Sequence, residues 1–500
     1  MQPVFTGTQV RGAEAPWLEA GHGPALMRQA AWGLAHRTRQ LLQQRGPVYG
    51  SRAVGLIGKG NNGGDTLWAL SFLADRGVSI AAVAINATAD QFHPEGLAAF
   101  QRAGGRLVSK IDAATDVVVD GVFGTGFHGS FDLPGFLTDH DLAIPQTAAI
   151  IACDVPSGLM ADTGDIPGNA LRADATVTFG APKLGLFVGE GGQHSGDVTV
   201  VDIGLGVELA AVQDPWWMAD EPDVRAGFGP PRWDAHKYSR GVLSVVAGSP
   251  QYPGAAVLVV NAVAATGVGY ISLVAQRPRD NSVADQVLAA HPQVVIEAQV
   301  AQKATAVVIG PGFGNTADER DDFTAALQVA QRQQLPVLVD ASGLDLLDED
   351  MLMQTFAAMV LTPHIGEMQR LTKRLAPDLQ EQHPVAQAAA FAQRFGVWIV
   401  LKSADTYVVS PGTLRSVHPA KTSELATAGT GDTLAGILGA GIASLDATDD
   451  DFHQQLFTVL ASGVRLHSLA GELAAADGGI VVSSLQDDIR EAKRQAMASS

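Results

Sequence analysis

The 500-residue chain has a single cysteine and a shortage of basic side chains, and both narrow the classes of protein to which it can belong. Cys153 has no partner for an internal disulfide, so nothing in the sequence points to an oxidising compartment. There are 33 Lys and Arg against 52 Asp and Glu, a net charge of −19. Because nucleic acids and anionic membranes bind basic surfaces, we expect neither as a partner.

Long apolar segments are also scarce. The N-terminus has no basic stretch followed by an apolar core, so the sequence predicts no secretory signal. Residues 255–275 approach the length of a membrane span, but Gly267 and Gly269 interrupt them. We interpret this stretch as a helix of small residues followed by a buried strand at 268–274, and we expect a soluble, cytoplasmic protein.

Apolar sequence is abundant, at 46% of residues, and short apolar runs alternate with helical patterns. This alternation predicts parallel α/β sheets, and the length requires more than one domain. The segment 207–235, rich in Pro, Asp and Trp, is the best candidate for a linker. We therefore predict two doubly wound α/β domains, at 1–212 and 222–500. The predicted strands lie at 53–57, 116–119, 149–153, 243–247, 306–309, 336–339, 359–361 and 398–401.

Three polar, glycine-rich loops follow predicted strands of the first domain: N-N-G-G-D at 61–65, D-G-V-F-G-T-G at 120–126 and D-V-P-S-G at 154–158. Ligands bind at the carboxyl ends of strands in open α/β sheets, and amides at a helix start can hold a phosphate. The loops match neither a Walker A motif nor G-x-G-x-x-G. Each alone is explained as a tight turn, but three at one edge favour a site.

The side chains of these loops indicate two kinds of chemistry. Asn62, Asp120 and Ser157 offer hard oxygen ligands without a second nearby carboxylate, which suits a weakly charged cation better than zinc or magnesium. Asp154 follows a buried strand, where partial desolvation can tune it as an acid or base. A structural role for Asp154, capping the turn at 155–156, competes with this interpretation.

The second domain carries A-G-T-G-D-T at 428–433 before a helical pattern of small residues. Consecutive amides at a helix start form an anion site for a transferring phosphoryl group, and Asp432 could accept the proton of an attacking hydroxyl. The competing role is an acid placed in the first turn for the helix dipole. Lys402 and Thr406 follow a strand and could hold nucleotide phosphates.

Two further loops of this domain have partly structural explanations. T-P-H at 362–364 has Thr362 as a helix N-cap and Pro363 at the first helical position, which leaves His364 as either a ligand contact or a solvated helix start. G-P-G-F-G at 310–314 allows close approach of a ligand to the backbone. No C-x-x-C, H-E-x-x-H or G-x-S-x-G motif occurs, which argues against zinc and serine-hydrolase chemistry.

Together these motifs resemble those of the bifunctional NAD(P)H-hydrate repair enzymes, which fuse an NAD(P)H-hydrate epimerase to an ADP-dependent (S)-NAD(P)H-hydrate dehydratase. The three loops of the first domain match the epimerase half. The dehydratase half, a relative of ribokinase-like kinases, is matched by His236-Lys237, G-P-G-x-G, L-T-P-H-x-G-E and A-G-T-G-D-x-L-A-G. The resemblance covers nearly the whole chain and implies a Rossmann-like first domain and a ribokinase-like second domain.

The resemblance also implies substrates and cofactors. Hydrated NADH or NADPH carries water across the nicotinamide ring, and the hydrated carbon beside the ring nitrogen is an R or S epimer. The first domain would interconvert the epimers, with potassium as its cofactor. The second would dehydrate the S epimer, with Mg²⁺ and ADP, releasing AMP and phosphate. The partners implied are NADHX, NADPHX and ADP, and we expect a homo-oligomer.

Site residues follow from the same resemblance, with Asp154 and Asp432 as the catalytic groups. In the first domain, the residues implied to bind the hydrate are Asn61, Asn62, Gly63, Gly64, Asp65, Gly124, Thr125, Gly126, Phe127, His128, Gly129, Ser130 and Asp154, and those implied to bind potassium are Asn62, Asp120 and Ser157. In the second domain, those implied to bind the hydrate are Ala255, Gly314, His364 and Asp432, and those implied to bind the nucleotide are Lys402, Ser403, Ala404, Asp405, Thr406 and Gly431.

Four sites depart from the family pattern. Thr66 stands where a third loop glycine is usual, Tyr238 replaces the glycine after His-Lys, and Ile365 replaces a proline. Ser423-Glu424-Leu425 stands where an Asn-Pro-Gly-Met-like segment is common. Two other functions fit parts of the sequence. A vitamin-type small-molecule kinase would use the same G-T-G-D loop with ATP, and the first domain alone could be a noncatalytic binding or scaffold module.

Overall fold

The computed structural model describes residues 1–275, 281–314, 316–380 and 382–498. The chain forms two compact units, one of Pro3–Trp216 and one of Met1–Gln2 with Trp217–Ser500. The strands are β1 (Gln2–Val4), β2 (Arg52–Ile57), β3 (Ser79–Ala84), β4 (Arg106–Leu107), β5 (Val117–Gly121), β6 (Ala149–Cys153), β7 (Ala175–Phe179), β8 (Asp197–Val201), β9 (Trp216–Met218), β10 (Val242–Val246), β11 (Tyr270–Val274), β12 (Val295–Glu297), β13 (Ala306–Ile309), β14 (Val337–Val339), β15 (Met359–Leu361), β16 (Trp398–Leu401), β17 (Asp405–Val409) and β18 (Arg415–Pro419).

Helices connect most of these strands. They are α1 (Gly7–Glu19), α2 (Gly23–Arg45), α3 (Asn61–Ala74), α4 (Pro94–Arg102), α5 (Leu133–Asp139), α6 (Gly191–His194), α7 (Gly206–Ala210), α8 (Glu221–Phe228), α9 (Pro253–Thr266), α10 (Asn281–Ala290), α11 (Ala317–Arg332), α12 (Ser342–Leu346), α13 (Glu349–Leu352), α14 (Ile365–Leu375), α15 (Pro384–Phe395), α16 (Thr430–Ala443), α17 (Phe452–Ala476) and α18 (Leu485–Ala498). Single 3₁₀ turns lie at Ala89–Gln91, Leu184–Leu186, Pro377–Leu379 and Val482–Ser484.

The first unit contains a sheet of seven parallel strands in the order β4-β3-β2-β5-β6-β7-β8. The direction of winding reverses between β2 and β5, so the loops after these two strands open at a topological switch point, where α/β proteins bind ligands. Strand β5 is buried along its whole length, as expected for a parallel sheet covered on both faces.

The sheet of the second unit has the order β1-β9-β18-β17-β16-β15-β14-β13-β10-β11-β12. Strands β10 to β16 pair in parallel, whereas β17 is antiparallel to both of its neighbours. Helices α9 and α16 approach closely, because a Cβ on Gly436 would lie 2.5 Å from the carbonyl oxygen of Val259. Both helices begin near the carboxyl edge of the sheet, where the candidate site of this unit lies.

The predicted strands all occur, and their ends either agree with the prediction or differ from it by one or two residues. The apolar run 255–275 forms the body of α9 and then β11, which confirms its interpretation as a helix and a strand. Among the described residues, no helix combines the length and apolar character that crossing a membrane requires.

The segment 207–235, predicted as the linker, contains the boundary between the two units, at Trp216 and Trp217, and much of it is regular structure. The segment contains most of α7 and all of β9 and α8, and Trp217 pairs with Ser416 of β18. Two of its tryptophans, Trp216 and Trp217, lie in β9, where Trp216 is only 7% exposed, whereas Trp233 lies outside the strand and is 95% exposed. Proline and aspartate, which suggested irregular structure, are instead used at a helix start, where Asp220 caps α8.

Thr66 packs against the start of the D-G-V-F-G-T-G segment, at the end of β5. Its side chain is fully buried against the sheet, and a Cβ on Gly121 of β5 would lie 2.0 Å from its hydroxyl oxygen. Gly121 therefore provides the space that a threonine needs at this position of α3.

We predict that Gly121→Ala destabilises the first unit by about 1–3 kcal/mol, because the added methyl overpacks the contact with Thr66. Differential scanning calorimetry of the full chain measures this as a lower melting temperature for that unit. Gly12→Ala is the matched control, since nothing lies within 4 Å of its added Cβ, and should not destabilise. Adding Thr66→Gly should recover part of the loss, and unchanged melting of Gly121→Ala would contradict the packing argument.

Candidate active sites

A cavity of about 740 Å³ opens at the carboxyl ends of β2, β5 and β6 in the first unit. It is lined by eight residues implied to bind the hydrate, namely Asn61, Asn62, Asp65, Gly124, Thr125, Gly126, Phe127 and Asp154. The other five, Gly63, Gly64, His128, Gly129 and Ser130, are not among its described lining residues. His128, Gly129 and Ser130 are exposed, while Gly63 and Gly64 lie within α3, where their small size admits neighbouring groups.

Asp154 is held at the cavity wall by an unusual backbone conformation and by three donors. Its φ of 66° places it in the left-handed region, which costs a residue with a side chain about 1–2 kcal/mol. One carboxylate oxygen accepts from Lys183 Nζ at 2.7 Å and Thr178 Oγ1 at 3.2 Å. The other accepts from the amide of Thr125 at 3.2 Å. These charge-assisted bonds stabilise an ionised carboxylate that faces the cavity.

Lys183 is a site residue that the sequence analysis missed. Its side chain is 1% exposed, and its ammonium also donates to the carbonyl of Phe179 at 2.6 Å. A buried lysine is costly unless it is paired, so the ion pair with Asp154 explains its position. The available signal was its place shortly after β7, at the same sheet edge as the three loops.

Asp65 lies in the same cavity wall but has a different environment. It belongs to the second turn of α3, is 8% exposed, and its Oδ1 has no hydrogen-bond partner among the described residues. Burial, and then the negative charges of Asp154 and Glu14, raise its pKa well above the usual range. The pKa of Glu14, another lining residue that the sequence analysis missed, is also raised, first by burial.

The three residues implied to bind potassium are joined by hydrogen bonds around the loop after β5. Asp120 accepts from the amide of Ser157 at 2.9 Å and from its hydroxyl at 2.6 Å. Asn62 Nδ2 donates to the carbonyl of Phe123 at 2.8 Å, and Ser157 Oγ accepts from the Phe123 amide. One carboxylate, with hydroxyl, amide and carbonyl oxygens nearby, is a donor set that fits a monovalent cation.

The second unit brings four loops together around Asp340, which the sequence analysis did not identify. Asp340 follows β14 and is 1% exposed. Its Oδ1 accepts from Lys402 Nζ and from Thr362 Oγ1, both at 2.6 Å, while its Oδ2 is buried with no hydrogen-bond partner among the described residues. The signal was present in the sequence, because Asp340 ends an apolar run just as Asp120 and Asp154 do.

The loop before α16 presents free amides toward this cluster. Gly429 caps the helix with a φ of 96°, where a side chain would be strained and would also meet Leu258. Thr430 Oγ1 fixes the loop by donating to the carbonyls of Leu425 and Thr427. The amide of Thr430 donates to the carbonyl of Thr427, whereas those of Gly431 and Asp432 have no acceptor within the helix and so remain available to an anion.

Asp432 lies in that first turn, and burial followed by the charge of Asp340 raises its pKa to about 7. The ammonium of Lys402 opposes this rise. Burial alone would lower the pKa of Lys402, but the charges of Asp340 and Glu367 raise it. A carboxyl group that titrates near neutral pH is suited to accept a proton from a hydroxyl.

The prediction that Thr362 caps the next helix is wrong. Helix α14 begins at Ile365, and His364 is its N-cap, accepting through Nδ1 from the amides of Gly366 and Glu367. Thr362 is instead turned inward by its bond to Asp340. His364 retains a half-exposed ring, 3.4 Å from the Glu367 carboxylate, so capping does not prevent contact with a ligand.

The remaining predicted residues of this unit lie in several different loops and helix starts. Ala255 lies in the first turn of α9 and packs against the G-P-G loop, where a Cβ on Gly312 would approach it to 2.5 Å. Gly314 stands against the Glu319 carboxylate, and Gly431 lies beside the Lys402 ammonium. Ser403 and Ala404 are exposed in the turn before β17, and Asp405 and Thr406 begin that strand.

Family models and relatives agree with these motifs. Residues 243–494 match the model described as NAD(P)H-hydrate dehydratase, and residues 23–185 match that described as YjeF-related protein N-terminus. A bifunctional NAD(P)H-hydrate repair enzyme of Mycobacterium leprae is 37% identical over 484 residues, 96% of this chain and 95% of that protein. The chain belongs to the family of bifunctional NAD(P)H-hydrate repair enzymes. The resemblance and the predicted α/β fold class are therefore confirmed.

Two further comparisons describe the extent of similarity. A bifunctional NAD(P)H-hydrate repair enzyme of Mycobacterium tuberculosis H37Rv is 40% identical over 451 residues, 89% of this chain and 90% of that protein. The solved structure of an ADP/ATP-dependent NAD(P)H-hydrate dehydratase from Bacillus subtilis, with ATP and Mg²⁺, is 24% identical. It covers 57% of this chain and 100% of its own, with a TM-score of 0.46.

For this member of the repair family, we predict that Asp340→Asn lowers the pKa of Asp432 below about 7, because a negative charge beside it is removed. Infrared titration, with Asp432→Asn as the reference spectrum, follows the carboxyl band. Asp345→Asn is the matched control, since that half-exposed carboxylate pairs with Arg370 instead. An Asp432 midpoint that is the same in Asp340→Asn would show that Asp340 does not control it.

Proposed function

We propose that the first unit interconverts the R and S hydrates of NADH and NADPH, and that the second dehydrates the S hydrate with ADP, releasing AMP and phosphate. The assignment of the epimerase to 1–212 and the dehydratase to 222–500 belongs to this proposal, as do a cytoplasmic location and a homo-oligomer. The observation that carries it is the presence of two differently built carboxylate sites, one centred on Asp154 with Lys183 and one on Asp432 with Lys402.

The dehydratase step starts from a poor leaving group, hydroxide. Asp432 accepts the proton of the ring hydroxyl as its oxygen attacks the β-phosphorus of ADP, and the bond to AMP breaks. The ring carbon then carries a phosphate ester. The nitrogen lone pair expels phosphate, and loss of the neighbouring ring proton restores the double bond of the nicotinamide.

The amides at the start of α16 and the ammonium of Lys402 would bind the nucleotide. Because Asp340 already neutralises Lys402, this lysine orients phosphate more than it adds net positive charge. Within the described ranges, no group of three or more His, Cys, Asp or Glu side chains is arranged to hold a metal ion. Mg²⁺ would therefore take ligands from the ADP phosphates, where it supplies charge neutralisation.

Support for the epimerase comes from the cavity beside Asp154. Lys183 donates to this carboxylate and holds it at the wall, where it can stabilise positive charge on the nicotinamide ring. Asn62, Asp120 and Ser157 would hold potassium, which would order the loop that carries Gly124 and Thr125.

Purified full-length protein, mixed with both hydrate epimers, ADP, Mg²⁺ and potassium, tests the proposal. We expect complete recovery of NADH or NADPH with one AMP and one phosphate per molecule repaired. Asp154→Asn should limit fast recovery to the S fraction, and Asp432→Asn should abolish recovery while epimerisation continues. A stable phosphorylated product formed with ATP would favour the kinase, and unchanged R-to-S conversion in Asp154→Asn would favour the scaffold.

The dehydration rate should rise with pH through about 7, because Asp432 must be ionised to accept a proton and burial raises its pKa to about 7. Single-turnover rates with pure S hydrate at saturating ADP measure this dependence without the epimerase. Asp345→Asn is again the control, and its dehydration rate should rise with the same pH midpoint as that of the wild-type protein. A rate independent of pH across this range would exclude Asp432 as the base.

A further inference from the structure

The epimerase cavity contains two carboxyl groups in opposite environments. Asp154 receives hydrogen bonds from Lys183, Thr178 and the amide of Thr125. Asp65 is nine-tenths buried, lines the same cavity, and has an Oδ1 that no described donor reaches. A buried carboxylate oxygen without a donor is unfavourable, which favours the neutral form of Asp65, whereas the Asp154 carboxylate accepts from the Lys183 ammonium.

We propose that Asp65 is the proton donor of the epimerisation, a neutral carboxylic acid that lines the same cavity as the Asp154–Lys183 ion pair. The inference rests on the proposed epimerase function and assigns a chemical role within it. Two carboxyl groups in one site can act as acid and base when their surroundings give them different proton affinities. Asp65 and Asp154 have such different surroundings.

The groups that shift the pKa of Asp65 come from three other elements, and Arg11, Lys59 and His93 also line the cavity. Glu14 lies on α1, Asp154 and the Cys153 thiol lie at the end of β6, and Lys183 follows β7. Burial and the two acids raise the pKa of Asp65, and only Lys183 opposes them. The pKa of the Cys153 thiol is itself raised by burial and by Asp65, so the thiol stays neutral and adds no charge.

The step balances without any further reactant. Asp65 gives its proton to the ring hydroxyl, the C–O bond breaks with its electrons on oxygen, and water leaves. The ring nitrogen lone pair forms a C=N bond, and the resulting cation is stabilised by the carboxylates of Asp65 and Asp154. Water then adds to the opposite face, and the C=N electrons return to nitrogen. The proton that this water loses passes to solvent, and Asp65 takes up a proton from solvent, which restores the acid.

Asp65→Asn in the full chain tests the role, because the amide keeps the shape of the side chain but cannot donate this proton. We expect kcat for R-to-S conversion to fall roughly 10²- to 10⁴-fold with little change in KM. Asp139→Asn, an exposed acid of the same unit, is the matched control. Dehydration of pure S hydrate by the same protein reports that the chain is intact, and Asp65→Ser is a second variant should the amide impair folding.

Two further measurements separate this inference from the proposed function. In wild-type protein the epimerisation rate should fall as the pH rises through the pKa of Asp65, and this fall should be absent from the residual activity of Asp65→Asn. Infrared difference spectra at neutral pH should show a protonated carboxyl band that Asp65→Asn removes, whether or not the protein epimerises. Wild-type protein without epimerase activity would overturn the proposed function. Unchanged kcat in Asp65→Asn, or no such band, would overturn the role of Asp65 alone.

Discussion

Both sites depend on one constraint: a carboxyl group buried at the carboxyl end of a parallel sheet must have either a donor or a proton. Asp154 and Asp340 have donors, each including a lysine at 2.6–2.7 Å. Asp65 and Asp432 have no bond to a lysine among the described residues, and their pKa values are raised, that of Asp432 to about 7. Each unit therefore contains one carboxylate bonded to a lysine and one carboxyl group with a raised pKa. Acid–base catalysis uses this combination.

The backbone places these groups where the constraint applies. Asp154 and Ala341, the residue after Asp340, both have positive φ values, of 66° and 50°, directly after a strand. Such conformations persist only where surrounding structure holds them, and here they turn the chain sharply at the sheet edge. Gly429 has the same function before α16, where the turn leaves helix amides facing the cluster around Lys402.

Much of the fold could be predicted because its determinants are local. Apolar runs such as Ala306–Ile309 and Ala149–Cys153 are strands buried on both faces, so their boundaries agree with the pattern. Segment 207–235 could not be assigned in this way, since β9 is a strand only because β18 lies beside it. The start of α14 also depended on a distant group, because Thr362 bonds to Asp340 and leaves the capping position to His364.

The sequence by itself determined the order of α/β elements, the ligand loops and the family, because strand patterns and glycine motifs are written in consecutive residues. Tertiary structure decided which side chains meet. Lys183 is 29 positions from Asp154 and Lys402 is 62 from Asp340, and nothing local reveals either pair. It also decided the protonation of Asp65 and Asp432, since desolvation and neighbouring charge depend on how completely the folded chain encloses each group.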